Sequence, residues 1–382
     1  MTKIEWTQRP GTKGETWNPI RARNKETGGI GHFCTKVSAG CQNCYAANFQ
    51  KRFKNKVRYA AQDANKVELF LDETVLMQPL HWKKPRTIFV CSMTDLFYEG
   101  HDDEWIDSVF AIAALCPQHT FIILTKRIKT AHQYMTSIDN GDGERLDLSR
   151  DPMVEGAAQR IHHFRTGEDP SMWLAVHLPL PNVWLGVSVE DQKAADERIP
   201  VLLDTPAAVR FLSVEPLLGP VNLKRWLGRR FECPECGFDD QEHGTGIYGS
   251  QRFCGICAGD CGNSTKLHVK GRGLDWVIVG GESGHNARPM HPDWARSLRD
   301  QCKAAEVPFF FKQNGSWISA KPGDKFSDGL WVHQNGDTFS PVEGQPFNPA
   351  PFAAHMIRVG KKRAGRSLDG VEHNEWPEVK SC

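Results

Sequence analysis

Three cysteines stand close together near the start of the chain: Cys34, Cys41 and Cys44, spaced C-x6-C-x2-C. Three thiolates on one loop can hold three corners of an iron–sulfur cube and leave its fourth iron open to a ligand, and therefore to chemistry. Cys41 and Cys44 have the spacing that lets two sulfurs point at one metal site. Cys34 must be brought in by a curl of the loop, which Gly40 would ease. A zinc site completed by a fourth ligand, with His32 at hand, is the competing reading, and spacing alone does not separate the two. From Tyr45 the sequence reads as a helix, whose positive dipole end would then face an anionic thiolate loop.

A second cysteine group has a different character. Cys233, Cys236, Cys254 and Cys257 form two C-x2-C knuckles, the spacing of a zinc ribbon. Four thiolates close a tetrahedron and leave no open position, so zinc here would be structural. Residues 229–272 are too few to fold on a core of their own, and the metal would hold them together. A second iron–sulfur cluster is the rival, with Cys261 or His243 as substitute ligands. Cys91, Cys116 and Cys302 sit in or beside apolar stretches and read as buried thiols. Cys382 stands alone and Cys261 is unassigned.

The elements that must position these groups show in the apolar pattern. Strand-length runs at 87–91, 120–124, 183–189, 209–214, 276–279 and 309–311 alternate with helical spacing at 101–115, after Lys126, at 191–204 and at 292–305. Short apolar strands separated by helices predict a parallel sheet covered on both faces. The expected fold is therefore α/β, a partial or full TIM-type (β/α) barrel, with an open doubly wound sheet as the alternative. No Gly-x-Gly-x-x-Gly turn follows an early strand, which counts against a dinucleotide-binding form. The expected organisation is a first barrel part over 1–228 carrying the cysteine loop 34–44, a zinc-ribbon insert over 229–272, a last barrel part over 273–315, and a hairpin and tail over 316–382. Within these limits, a helix is expected around 153–164 and a hairpin over 331–339 about Asn335-Gly336. The tail beyond 340 is expected to lie extended over the surface.

Catalytic groups on such a barrel gather at the C-terminal ends of its strands. Three strands end alike: Ser188-Val189-Glu190, Ser213-Val214-Glu215 and Gly280-Gly281-Glu282. Converging carboxylates repel unless cations, metal or ligand compensate. Lys126, Arg127, Arg210 and Lys312 fall at or near strand ends and could do so. Gly280 and Gly281 would let a ligand approach the backbone closely, and Arg288 could pair with a carboxylate or phosphate. Some of these pairs could equally be structural salt bridges on the barrel rim.

Trp17-Asn18-Pro19, followed by the cysteine loop through Tyr45-Ala46, resembles the signature of the three-Cys-motif phage protein family, regarded as a divergent branch of the radical S-adenosylmethionine (SAM) superfamily. The likeness continues at 92–97, 119–127, 184–190, 210–219, 279–284 and 309–313, and covers most of 4–315. The superfamily's usual spacing is C-x3-C-x2-C; here the first loop is longer, and Asn43 stands where an aromatic usually precedes the last cysteine. The resemblance implies a [4Fe-4S] cluster whose open iron chelates SAM, one-electron cleavage to a 5′-deoxyadenosyl radical, and an electron donor such as a flavodoxin or ferredoxin. It implies Ser92 and Asp95, at the end of the second strand, as candidates for the SAM amine. Ser188, Glu190, Ser213, Gly280, Gly281 and Arg288 are further candidates for holding cofactor, and Glu215, Glu282 and Lys312 for catalysis. The Gly-Gly-Glu at 280–282 resembles the superfamily's amine-binding motif but ends a late strand, so its role is not carried across. The family's phage association and a likeness to the loop of spore-photoproduct-lyase-like proteins suggest a nucleic-acid base or lesion as substrate. The alternative is a non-catalytic or hydrolytic nucleic-acid-binding protein with two structural zinc sites.

The bulk numbers bound these readings. The 382 residues carry 47 basic against 46 acidic side chains, a net charge of +1. A protein gripping nucleic acid by charge alone would be more basic. Local runs exist at 51–58 and 358–366, each with five cations, and the bland reading of either is a solvated surface. Twelve cysteines suit metal or redox chemistry in a reducing compartment. No long apolar run and no secretory core at the polar N-terminus are found, so a cytoplasmic protein without a membrane span is expected.

Overall fold

The computed structural model describes residues 4–52, 57–139, 145–168, 175–232, 245–248, 251–254, 268–320, 329–340 and 352–378. Seven parallel strands form one curled half-barrel sheet: β1 (Lys13–Trp17), β2 (Arg86–Val90), β3 (Thr120–Thr125), β4 (Val183–Ser188), β5 (Val209–Val214), β6 (Trp276–Gly280) and β7 (Phe309–Gln313). Their order in the sheet is their order in the chain, so each crossover adds its strand on the same side. A doubly wound sheet would reverse direction part-way; this one does not. The crossovers carry α1 (Tyr45–Arg52), α2 (Asp103–Leu115), α3 (Ile128–Thr136), α4 (Asp151–Thr166), α5 (Gln192–Asp204) and α6 (Pro292–Ala304). Helix starts follow local chemistry. Asp191 accepts from the Ala194 amide at the head of α5, and α2 opens with Asp103 and Glu104 beside its positive dipole end.

Alternation along the strands divides the core in two. One face sends Ile88, Val90, Phe121, Ile123, Leu185, Val187, Leu212, Val277 and Val279 towards the helices. The concave face sends Phe89, Ile122, Trp184, Phe211, Trp276 and Phe310 inward. β1 was not foreseen. Its Lys-Gly-Glu-Thr-Trp has no apolar run, because it is an edge strand paired only with β2. A three-stranded antiparallel sheet of Ile20–Asn24, Ile30–Gly31 and Val67–Leu71 was likewise not foreseen.

The expected hairpin is present, Leu330–Val332 pairing with Thr338–Phe339. It belongs to a four-stranded antiparallel sheet with Trp317–Ser319 and Ala354–Arg358. Part of the tail is therefore a sheet strand, and residues 371–378, most of them exposed, run along the open edge of the half-barrel. Phe310 bridges Asn374, and the Phe311 amide donates to the His373 carbonyl. The Trp276 indole donates to the Glu375 carbonyl at 2.8 Å, and the Trp376 indole to the Trp6 carbonyl at 3.2 Å. Trp6, in the short turn Glu5–Thr7, packs 4.8 Å from the Phe89 ring inside the concave face.

In the insert, Arg229–Glu232 pairs antiparallel with His268–Arg272, and Thr245–Tyr248 with Gln251–Cys254. Cys233, Cys236, Cys257, Cys261, His243 and Cys382, and the side chain of Cys254, lie outside the described residues. No helix among the described residues is long and apolar enough to cross a membrane. Cys91, Cys116 and Cys302 are buried, and burial pushes the Cys116 thiol up to about 11 and that of Cys302 to about 12.

Candidate functional site

A cavity of about 500 Å3 opens at the C-terminal ends of the strands. Its floor is apolar, made of Trp6, Phe89 and Leu124, and Cys34, Cys41 and Cys44 stand together in its wall. Ser92, Ser188, Ser213, Glu215, Glu282 and Lys312 also line it. The sequence spreads the cysteines and these polar residues from position 34 to position 312; the sheet brings them to a single rim.

The rim acids do not face each other bare. Each is held by a cation, as converging carboxylates require. Glu190 Oε1 accepts from Lys126 Nζ at 2.8 Å and Ser38 Oγ at 2.7 Å, while Oε2 accepts from Arg198 Nη1 at 2.9 Å. Burial alone would raise its pKa, but Lys126 and Arg198 outweigh that and hold the carboxyl below its ordinary value. Glu282 accepts from Arg288 Nε, Nη2 and backbone amide at 2.9, 2.7 and 2.8 Å, and from Asn43 Nδ2 at 3.0 Å. Here too burial is outweighed, by Arg288, and the carboxyl is held low. Glu215 accepts from Lys312 Nζ at 2.8 Å and Gln313 Nε2 at 2.7 Å.

Two of these three acids hold the cysteine loop. Ser38 is tied to Glu190. Arg288, held by Glu282, donates to the Ala39 carbonyl at 2.9 Å and to Gln42 Oε1 at 3.3 Å. The other end of the loop is held from β3. Arg127 donates to Thr35 Oγ1 at 2.7 Å and its carbonyl at 3.1 Å, approaches Cys34 Sγ at 3.7 Å, and rests against Glu99 and Asp95. The Tyr45 hydroxyl donates to the Ser92 carbonyl and joins the loop's exit to the end of β2. The helix expected from Tyr45 begins there, directly after Cys44.

Several sequence expectations change role. Gly40 does not adopt a left-handed conformation. A β-carbon on it would lie 2.4 Å from Glu190 Oε1, so glycine is required by close approach, not by the curl. A β-carbon on Gly281 would lie 2.3 Å from the Asn314 carbonyl oxygen, and one on Gly280 would lie 3.3 Å from the Glu215 carboxyl carbon. These close contacts of both glycines are to the protein's own chain. Asp95 accepts from Thr125 Oγ1 and the Phe97 amide on Oδ1, and from the Lys126 amide and Arg127 on Oδ2. These bonds fill a carboxylate's four acceptor positions and make Asp95 a brace between β2 and β3. Arg210 donates to the Thr205 carbonyl from the second residue of β5, at the opposite end of the sheet from the acids, and compensates none of them.

Two residues gain structural roles that the sequence does not show. Asn18 Oδ1 accepts from the Met93 amide at 2.9 Å and its Nδ2 donates to Ser92 Oγ at 3.2 Å, shaping the turn after β2. That turn starts at Cys91, at φ 51°, a backbone region that residues with a β-carbon rarely occupy. Two oxygens in residues lining the cavity, Gln313 Oε1 and Glu5 Oε2, are buried without a hydrogen-bond partner.

A family model described as a protein of unknown function (DUF5131) matches residues 1–377. The chain belongs to that family. No curated protein and no solved structure matches it. In this DUF5131 protein no group of three or more His, Cys, Asp or Glu side chains among the described residues is gathered tightly enough to hold one metal ion. His32, the proposed fourth zinc ligand, puts its Nδ1 3.4 Å from the Ile20 carbonyl, and burial lowers its pKa to about 4. Burial, aided by Asp95, pushes the Cys34 thiol up to about 12 against the pull of Arg127. A thiol so placed ionises when a metal takes the sulfur.

Proposed function

We propose that this DUF5131 protein is a radical SAM enzyme acting on a nucleic-acid base or lesion. The observation that carries the reading is the cysteine loop. Three thiols share one cavity at the strand ends of a parallel half-barrel, on a loop fastened by Arg127, Glu190 and the Glu282–Arg288 pair. Three thiolates on one loop are what a cube with one open iron asks of the chain. The donor set fits as well: Arg127 supplies positive charge beside Cys34, and Ser38 Oγ lies 3.8 Å from Cys41 Sγ.

When bound, a [4Fe-4S] cluster with SAM supplies a 5′-deoxyadenosyl radical; the chain supplies position and dryness. Trp6, Phe89 and Leu124 give the cavity an apolar lining that disfavours water. Ser92, held by Asn18, offers a hydroxyl at the end of β2, and Ser188 and Ser213 offer hydroxyls at the ends of β4 and β5. Lys312, Glu215 and Gln313 form another part of the cavity wall. Glu215 keeps acceptor positions beyond its two bonds, so it can receive a substrate's N–H or O–H groups. Cys233, Cys236, Cys254 and Cys257 would hold a structural Zn2+ in the insert. The electron donor would be of flavodoxin or ferredoxin type, and the compartment the cytoplasm.

Anaerobic reconstitution tests the proposal. About four irons per chain, absorbance near about 400 nm and formation of 5′-deoxyadenosine are expected. Cys34→Ala, Cys41→Ala and Cys44→Ala should each lose both iron and nucleoside. A colourless protein carrying two zincs would overturn the reading and leave a nucleic-acid-binding protein with structural metals in its place.

A further inference from the structure

The cationic run at 358–366 reads in sequence as a solvated surface. The fold puts one of its residues, Lys361, in the wall of the cavity. Lys361 pairs with Glu5 at 3.2 Å, and Arg358 donates to the Gly284 carbonyl in the loop leaving β6 at 2.7 Å. Arg358, Lys362 and Arg363 are exposed and have no carboxylate partner among the described residues. The run contains no acidic residue, in a protein whose net charge is only +1, so this is a local concentration of charge. The start of α1 also borders the cavity. Tyr45 lines it, its hydroxyl bonded to the Ser92 carbonyl and the residue 56% exposed, and Phe49, one turn on along the same face, is 46% exposed. Unneutralised cations and exposed aromatic rings around a pocket with an apolar floor form the combination that binds single-stranded nucleic acid, phosphates on the cations and bases on the rings.

We propose that this rim binds a single strand of nucleic acid, with Arg358, Lys362 and Arg363 on consecutive phosphates and Tyr45 and Phe49 stacking on bases beside the cavity. The inference deepens the proposed function and takes from it only the location of the reacting site. An acidic membrane surface is the other polyanion. Against it, the helix Lys361–Ala364 is one turn long and its single apolar side chain, Ala364, is buried, so nothing there inserts into lipid.

The test is fluorescence anisotropy of the full-length protein with a labelled single-stranded DNA of about 12 nucleotides. Three phosphate contacts on a single strand predict a log–log salt slope of about −2, or about 20-fold weaker binding at ~200 mM than at ~50 mM salt. The double variant Lys362→Glu/Arg363→Glu should bind more than about tenfold more weakly and lose about 1.4 of that slope. Lys362→Gln/Arg363→Gln, with an unchanged melting temperature, should show the same direction and exclude misfolding as the cause. Phe49→Ala should weaken binding about tenfold with the slope unchanged. A double variant with wild-type affinity and slope overturns the proposal, as does tighter binding to blunt duplex, or binding to phosphatidylserine vesicles without binding to the oligonucleotide. Iron content and 5′-deoxyadenosine are read separately. Oligonucleotide binding without them would sink the enzyme reading alone; the reverse would sink only this one.

Discussion

Gly40 shows how narrowly the cysteine loop is specified. Its missing side chain lets the loop lie against Glu190, and a methyl group there would meet Oε1 at 2.4 Å. Gly40→Ala is expected to destabilise the protein by about 1–3 kcal/mol, as overpacking does, and to lower retained iron after reconstitution. Melting temperature and iron content check both. Arg127 is the second residue of this kind: its planar fork reaches Cys34, Thr35, Asp95 and Glu99 together. A lysine keeps the charge and loses the fork. Arg127→Lys should therefore fold but alkylate faster at Cys34 in the metal-free protein, read by mass spectrometry after timed labelling. An unchanged rate would mean that Arg127 does not hold the loop. Elsewhere in the cavity wall, Glu215→Gln should leave iron content intact and lower turnover, because it removes the Lys312 ion pair from the cavity and not a fastening of the loop. Loss of iron in this variant would contradict that assignment.

The loop and its carboxylate fastenings form an element with its own pH dependence. Glu190 and Glu282 both have folded-state pKa values below the ordinary carboxyl range. A group depressed on folding contributes stability that is fully present above its unfolded value, ~4.3 for Glu, and lost as pH falls through the folded value. Stability measured by urea unfolding should thus begin to fall below about pH 6.5, where the buried His32 resists protonation, and fall further below about pH 4.5, and the double variant Glu190→Gln/Glu282→Gln should lose part of that second fall only. An identical slope in the variant would remove these two acids as the cause. The elements of the sheet were legible where both faces are buried. β4 reads Val-Trp-Leu-Gly-Val-Ser and every residue of it is buried, so its apolar run stands out. β1 escaped notice because an edge strand needs no such run, and its Glu15 instead pairs with Arg86 of β2 at 2.7 Å.

On the scale of the whole molecule, the half-barrel leaves β1 and β7 unpaired with each other, and the two ends of the chain fill the opening. Trp6 enters from one terminus and Trp376 from the other, their link being the indole bond to the Trp6 carbonyl. The concave aromatic core is thus completed by residues 370 positions apart in the chain. Trp376→Ala is expected to cost about 2 kcal/mol, less than the 3–5 of a fully buried tryptophan because it is half-exposed. The lost packing against Phe310, 5.3 Å away, should also loosen the cavity floor through Trp6. Thermal unfolding reads the first effect and fluorescence quenching by acrylamide the second.

Local chemistry was written in the order of residues. Cysteine spacing, alternating apolar runs and acids at strand ends depend on near neighbours, and they foretold a parallel α/β fold with a thiol loop and a polar rim at one end. Which rim group faces the cavity and which faces the loop depends on contacts between segments more than 100 residues apart, such as Ser38 with Glu190 and Asn43 with Glu282. No periodicity records such contacts, because each was created only when the sheet curled and carried the strand ends to one place.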